Sequence, residues 1–214
     1  MNKKISNAVI RRLPKYYRYL DTLCTAGVSR ISSHMLAAEM GLTASQIRQD
    51  LNCFGGFGQQ GYGYNVGNLR DEIGEILGLK TNRKAIILGA GNLGRALINN
   101  FKFNRCGFSL CAAFDISRDV TGTSINNVPV YHMDELEKYV LENNPELAVF
   151  TLPNSVAQEA AKKLEDLGCK GIWNFSSSEI KPHGNEIKIE NVHFEDSLMT
   201  LCYMINKTPD PSDE

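Results

Sequence analysis

Six cysteines are scattered through the 214 residues without a Cys-x-x-Cys pair, and the four histidines are equally dispersed. Neither set has the spacing of a metal site, so no metal is expected. Unpaired thiols of this kind point to a reducing compartment, the cytoplasm. Cys111 and Cys202 lie in apolar stretches, where a thiol is expected as a small core residue. No apolar run approaches the 18 residues of a membrane helix, and the first residues carry no apolar leader. Membrane insertion and secretion are therefore not expected. A large net charge is missing too, since 23 Lys and Arg face 24 Asp and Glu. That balance hides an asymmetry. Residues 1–64 hold eight basic and three acidic side chains, a net +5, and the remainder sums to −6. A basic head on an acidic body is the pattern of a nucleic-acid binder whose second domain does something else.

The head carries helical periodicity at Ile5, Val9, Leu13, Tyr16, Tyr17 and Leu20, with Pro14 expected to kink or divide it. Ser32 and Ser33 can cap a short helix that Gly41 ends. Thr43 then starts a second helix, and Thr43 with Gln46 has capping-box spacing. In that helix Ile47, Leu51 and Phe54 share one face, predicted inward. Ser45, Arg48, Gln49 and Asn52 share the opposite face, predicted outward. Arg grips guanine and Gln or Asn grips adenine in bidentate fashion, so this face suits a DNA major groove. Asp50 does not fit such a contact and is expected to pair or cap locally. The run from Phe54 to Tyr64 is glycine-rich with interleaved aromatics and predicts a β-hairpin, with Gln59 and Gln60 at its tip. A helix-turn-helix followed by a hairpin is a winged helix-turn-helix, and double-stranded DNA becomes the expected partner.

Lys80 to Lys84 is polar and is read as a linker. Ala85 to Leu88 then reads as a buried parallel strand, followed at once by Gly89-Ala90-Gly91-Asn92-Leu93-Gly94 and a helix. This is the context a dinucleotide fingerprint requires. Gly89 permits the turn, Gly91 close approach of a pyrophosphate, and Gly94 close packing of helix on strand. The helix N-terminus offers unpaired N–H groups to the phosphates. A second strand, Phe108 to Phe114, ends in Asp115, 21 residues after Gly94, where a carboxylate can hold ribose hydroxyls and disfavour the extra phosphate of NADP. The ligand is therefore read as NAD. Strands at 147–152, 171–175 and 187–192 alternate with a helix at 155–167 and lead to a final apolar helix near 195–206. Thr151, Pro153, Asn174 and Phe175 fall at strand ends and are candidate pocket residues, each of which also fits a simple turn. The fold class is α/β: a winged helix-turn-helix followed by a Rossmann-like doubly wound parallel sheet.

Tyr203 and Lys207 have the Tyr-x3-Lys spacing of short-chain dehydrogenases, where the Lys assists proton transfer at the phenol. Only seven residues follow Lys207, the stretch is apolar, and no separate substrate domain is evident. An enzyme is not expected. An oxidoreductase with a fused head, and a CoA or other nucleotide module, remain the alternatives.

The chain resembles the Rex family of redox-sensing transcriptional repressors. The matching stretches include Arg11 to Pro14 with Tyr17 to Tyr19, Arg30 to Ser33, Ser45 to Leu51, Phe54-Gly55, Gly61 to Tyr64, Ile76 to Leu79, Gly89 to Gly94, Phe114-Asp115 and Lys170 to Phe175. The resemblance implies a homodimer in which the C-terminal helix is exchanged between subunits. It implies that NADH favours a form that leaves a pseudo-palindromic operator, while NAD+ permits binding. By position, Arg48 and Gln49 match major-groove readers and Gln60, Gly61 and Tyr62 match wing contacts. Gln60 and Asn100 depart from residues found in some members, Arg and an aromatic respectively. Phe194 matches an aromatic near the nicotinamide. His193 stands where many members have an Asp that pairs, across subunits, with an arginine matching Arg18. A neutral His can accept from Arg18 and a protonated one repels it, so the switch is expected to use a different, pH-sensitive contact. The domains are read as a head at 1–79, a linker at 80–84, a nucleotide domain at 85–192, an exchanged helix at 193–206 and a tail at 207–214.

Overall fold

A computed structural model describes residues 5–55, 62–184 and 186–206. The chain divides into two compact units, residues 1–81 and 82–214. In the first, α1 (Asn7–Thr25) is capped by Ser6 and buries Val9, Leu13, Tyr16 and Leu20. Pro14 does not divide it. Pro14 and Ile10 both face solvent, so water can serve the Ile10 carbonyl that the proline ring leaves without a donor. β1 (Arg30–Ile31) leads into α2 (Ser33–Met40), capped by the Ser32 side chain and ended by Gly41 in the left-handed region, φ 64°. α3 (Ala44–Asn52) is capped by Thr43, whose Oγ1 accepts from Gln46 N at 3.2 Å. The second half of the expected capping box is replaced. The Gln46 amide turns to Asp50 instead.

β2 (Tyr64–Asn65) pairs antiparallel with β1, before the helix-turn-helix. Phe54 and Gly55 form no strand, and Gln59, Gln60 and Gly61 lie outside the described residues. The crossing of β1 and β2 needs Gly63, since φ is +71° and a Cβ would sit 2.6 Å from the Ile31 carbonyl oxygen. α4 (Val66–Ile76), which periodicity did not reveal, packs on α1. Leu13, Tyr16, Leu20, Leu36, Ile47, Leu51, Leu69 and Ile73 form one core.

The second unit is a seven-stranded sheet in the order β5-β6-β4-β3-β7-β8-β9. Its strands are β3 (Arg83–Leu88), β4 (Phe108–Asp115), β5 (Ser124–Ile125), β6 (Val128–His132), β7 (Leu147–Phe150), β8 (Gly171–Asn174) and β9 (Lys188–Asn191). All pairs are parallel except β5 with β6. β3 begins at Arg83, so the expected linker loses its last two residues to the sheet. Side chains alternate across the sheet. Ile86, Leu88, Phe114, Phe150 and Ile172 meet α6 (Leu136–Asn143) and α7 (Asn154–Asp166) on one face. Ile87, Ala113 and Val149 meet Ile98 of α5 (Asn92–Asn100) on the other. α8 (Phe194–Asn206) buries none of its side chains. No helix is long and apolar enough to cross a membrane among the described residues.

Candidate functional site

Chain direction reverses across the sheet at β3. The strand leads to β4 on one side, and the chain later returns to β7 on the other. The carboxyl ends of β3 and β7 therefore frame a crevice of the kind that binds ligands in open α/β sheets. Gly89, Ala90 and Gly91 line one lip. Gly89 has φ +98°, and a Cβ there would meet the Thr151 carbonyl oxygen at 2.6 Å. The Thr151 hydroxyl donates to the Gly89 carbonyl at 2.7 Å, so Thr151 supports the glycine loop from below. A Cβ on Gly94 would sit 2.0 Å from the Gly89 carbonyl oxygen, which only a glycine at this helix–strand approach avoids.

Gly91 differs from both. It is exposed, has φ −71°, and a Cβ there would meet nothing within 4 Å. It is the N-cap of α5 and supplies no side-chain cap, so no side chain of the cap residue satisfies the first-turn N–H groups. A helix start left uncapped in this way suits an anion by geometry and dipole. Arg95, outside the glycine fingerprint itself, reaches back from α5 to donate to the Ala90 carbonyl at 3.0 Å. A cation one turn into the helix that follows the fingerprint is the signal that marks it.

Asp115 lies at the end of β4. Its Oδ2 accepts from Ala90 N at 2.6 Å and its Oδ1 from Ser117 N at 2.8 Å. The half-buried carboxylate thus ties the glycine loop to the next strand while also capping its own turn. Pro153 is the exposed N-cap of α7. Asn174 is fully buried, and its amide is saturated. Nδ2 donates to the Ser178 carbonyl and Asn191 Oδ1, both at 2.8 Å, and Oδ1 accepts from Ser176 N and Oγ. With two donors and two acceptors spent, the Asn174 side chain holds its loop and has no free hydrogen-bonding group to turn to a ligand. The Phe175 ring stacks on Phe194 with centroids 5.8 Å apart. Phe194 is 59% exposed at the foot of α8, beside half-buried His193.

Along α8, Leu198, Tyr203 and Ile205 are 60%, 70% and 73% exposed. The packing expected for this helix does not occur within the described residues of the chain, and Cys202 is exposed rather than a core thiol. Cys111 is half-buried, as a packing residue would be. Burial pushes the Cys106 and Cys169 thiols up, away from reactive thiolate. No group of metal-binding side chains is found among the described residues.

In the head, Ser45, Arg48, Gln49 and Asn52 are all exposed on α3, opposite buried Ile47 and Leu51. Arg48 Nη1 donates to Ser33 Oγ at 3.0 Å, bringing the first residue of α2 to the same surface. Arg30 donates to the Tyr62 carbonyl at 3.2 Å and lies 5.9 Å from its ring centroid. Tyr62 is 70% exposed. Arg18 is exposed on α1. Beneath this surface Asp50 is completely buried. It accepts from Arg12 Nε and Nη2 at 2.5 and 2.8 Å, from the Tyr16 hydroxyl at 2.6 Å and from Gln46 Nε2 at 2.9 Å. Local pairing was the expectation for Asp50, but its partner Arg12, 38 residues away, was invisible to spacing.

A family profile described as "Putative DNA-binding protein N-terminus" matches residues 4–52, and one described as "CoA binding domain" matches residues 80–178. The chain is 48% identical over 204 residues to the redox-sensing transcriptional repressor Rex of Clostridium perfringens, covering 95% of this chain and 96% of that one. It is 47% identical over 205 residues to Rex of Caldicellulosiruptor saccharolyticus, covering 96% and 93%. Among solved structures it matches RSP in complex with β-NAD+ and operator DNA, with TM-score 0.89, 46% identity and coverage of 95% and 94%. It also matches RSP in complex with β-NADH, with TM-score 0.88, 43% identity and 95% coverage of both chains.

Proposed function

The chain belongs to the Rex family of redox-sensing transcriptional repressors, and from that premise we propose how its residues divide the work. It acts by binding, without a catalytic step. NADH and NAD+ are sensed ligands in the crevice between β3 and β7. Gly89, Gly91 and Gly94 admit the pyrophosphate, and the first-turn N–H groups of α5 receive its charge. Ala90, Asn92 and Leu93 complete that loop, Arg95 adds a cation, and Asp115 takes the adenosine ribose. The crevice continues toward Thr151, Pro153 and Phe194. The observation that carries this reading is Gly91, where a helix N-terminus is left open while its neighbours Gly89 and Gly94 are sterically compelled.

On the head, Arg48 and Gln49 read base edges, flanked by Ser45 and Asn52. Gln60, Gly61 and Tyr62 form the wing contact, with Arg30 steadying Tyr62. The protein is a homodimer whose exposed α8 is covered by the partner subunit, and a two-fold dimer reads a pseudo-palindromic operator. Each nucleotide shifts DNA affinity only by its differential affinity for two forms of the dimer. Arg18 and His193 belong to that switch. His193→Asp restores a carboxylate for Arg18, and a changed NADH concentration for release is its expected mark. Arg48→Ala reduces operator affinity and leaves NADH affinity intact.

The test is a gel shift on the gene's own promoter region, titrated with NADH and NAD+. Release by NADH at concentrations where NAD+ leaves the complex intact supports the reading, and equal response to both refutes it. The profile match at residues 80–178 keeps CoA as a second ligand reading. Thermal shifts measured with NADH, NAD+, NADPH and CoA separate the two.

A further inference from the structure

The residues that hold α3 against α1 are of two kinds. Ile47 and Leu51 bury apolar surface, which is non-directional and leaves the helix free to rotate or slide slightly. Asp50 does not allow this freedom. Its carboxylate takes both teeth of the Arg12 guanidinium fork, a planar two-bond contact with one geometry. Tyr16, in the centre of the core, adds a third bond and Gln46 a fourth from one turn earlier in α3. Burying such a pair is a weak source of stability, because desolvation offsets most of the attraction. Orientation is what this arrangement supplies and an apolar contact does not.

We propose that Asp50, clamped by Arg12 and Tyr16 of α1, is the positioning residue that sets how α3 presents Arg48 and Gln49. The proposal rests on the reading of α3 as the base-reading helix. Arg48 and Gln49 immediately precede Asp50, so a rotation of α3 that the clamp prevents would carry both out of register with base edges. Contacts of this kind must be held within about 0.5 Å and 10–20° to work. Two of the three Arg12 guanidinium nitrogens face the carboxylate, so Arg12 acts on α3 through Asp50.

The experiment uses the full-length protein, an operator duplex taken from its own promoter and a scrambled duplex of equal length, titrated by fluorescence anisotropy at several salt concentrations. Tyr16→Phe keeps the core ring and removes one hydrogen bond. Arg12→Lys keeps the charge and removes the fork. Operator affinity is expected to fall about threefold in Tyr16→Phe, the scale of one hydrogen bond. In Arg12→Lys it falls about tenfold, the scale of one bidentate base contact. Scrambled-duplex affinity, the salt slope and NADH affinity stay unchanged. Equal loss on both duplexes in Tyr16→Phe, which alters no charge, would overturn the proposal. For Arg12→Lys, which keeps the charge, equal loss on both duplexes would make Arg12 a phosphate contact instead. Unchanged operator affinity at a lowered melting temperature would reduce the cluster to structural support. Arg48→Ala, run alongside, keeps the two readings apart. No loss there removes α3 as the reader and this proposal with it. Loss there, without loss in Tyr16→Phe and Arg12→Lys, overturns the proposal alone.

Discussion

Gly91→Ala and Gly94→Ala place the same methyl group three residues apart in the fingerprint, and only the second is expected to cost stability. At Gly94 the methyl would lie 2.0 Å from the Gly89 carbonyl oxygen and 3.0 Å from Thr151 Oγ1. A carbon–oxygen contact needs about 3.3 Å, so α5 must move off β3 by roughly 1 Å. Overpacking of this kind costs on the order of 3 kcal/mol, and the shift carries the phosphate-facing N–H groups with it. At Gly91 nothing lies within 4 Å and φ is −71°. Alanine there gains about 0.4–1 kcal/mol from a less flexible unfolded chain. It loses a similar amount because alanine is a poor N-cap. Net stability therefore changes by less than about 1 kcal/mol. The methyl does, however, occupy the approach to the α5 N–H groups. Thermal melts without ligand, together with NADH titrations, read both effects. Gly94→Ala should lower both melting temperature and NADH affinity. Gly91→Ala should melt like the parent and bind NADH at least tenfold more weakly, the effect of displacing one charged phosphate contact by about 1.4 kcal/mol or more. Parent-like NADH affinity in Gly91→Ala would show that the pyrophosphate does not cross this glycine, and the assignment of the crevice would fail.

Asp115→Asn should weaken NADH about tenfold, the scale of a hydrogen bond to a charged acceptor, and narrow the preference for NADH over NADPH. Titrating both nucleotides checks this, and an unchanged preference would take the ribose away from Asp115. Burial pushes the Asp50 carboxyl up, but hydrogen bonds from Arg12, Tyr16 and Gln46 outweigh it and hold it below the usual carboxylate range. Its folded pKa is thus below its unfolded value of about 3.9. The stabilisation is complete above that value and lost as pH falls below it. The difference in melting temperature between the parent and Asp50→Asn should be constant from pH 7 to 5 and shrink below about pH 4, and a pH-independent difference would refute the ionic reading. Leu198→Asp and Ile205→Asp lie on exposed positions of α8 and should change the stability of a lone chain by no more than about 0.5 kcal/mol. Sedimentation velocity should nonetheless show dimer converted to monomer, and an intact dimer would place the interface elsewhere.

Helices announced by caps and long periodicity are legible in the sequence. Ser32 and Thr43 each place their oxygen on the third following N–H, as their spacing implied. The missed elements share a physical reason. α4 contains Gly67 and Gly74, helix-weakening residues that mask its period. Gly74 is there for packing, since a Cβ would come 3.1 Å from the Tyr17 ring as α1 and α4 cross. α6 has only Leu136 and Val140 buried, two anchors one turn apart. β6 carries Pro129, which is tolerated because it pairs with the short edge strand β5. Neither segment holds enough periodic residues to be distinguished from a loop.

The site was legible where backbone geometry restricts the residue and ambiguous where a polar side chain could serve either fold or ligand. Gly89 and Gly94 admit one reading, because any side chain collides with the neighbouring strand or loop. Asp50 and Asn174 are both polar residues beside candidate contact surfaces. Sequence context takes Asp50 out of the DNA contact and gives it a local pairing or capping role, because a carboxylate beside phosphates is repelled, and it has no comparable argument for Asn174. What decides both is whether the donors and acceptors of the group are already used. Asn174 spends all four on Ser176, Ser178 and Asn191, two of them in the loop that follows it and one across to β9. Gly91 lies at the other extreme, a helix start whose N–H groups have no side-chain partner. A ligand binds where the protein leaves such groups unpaired, and saturation depends on contacts between residues far apart in sequence. Spacing can therefore nominate a strand-end asparagine, but only the folded arrangement shows that it is spent.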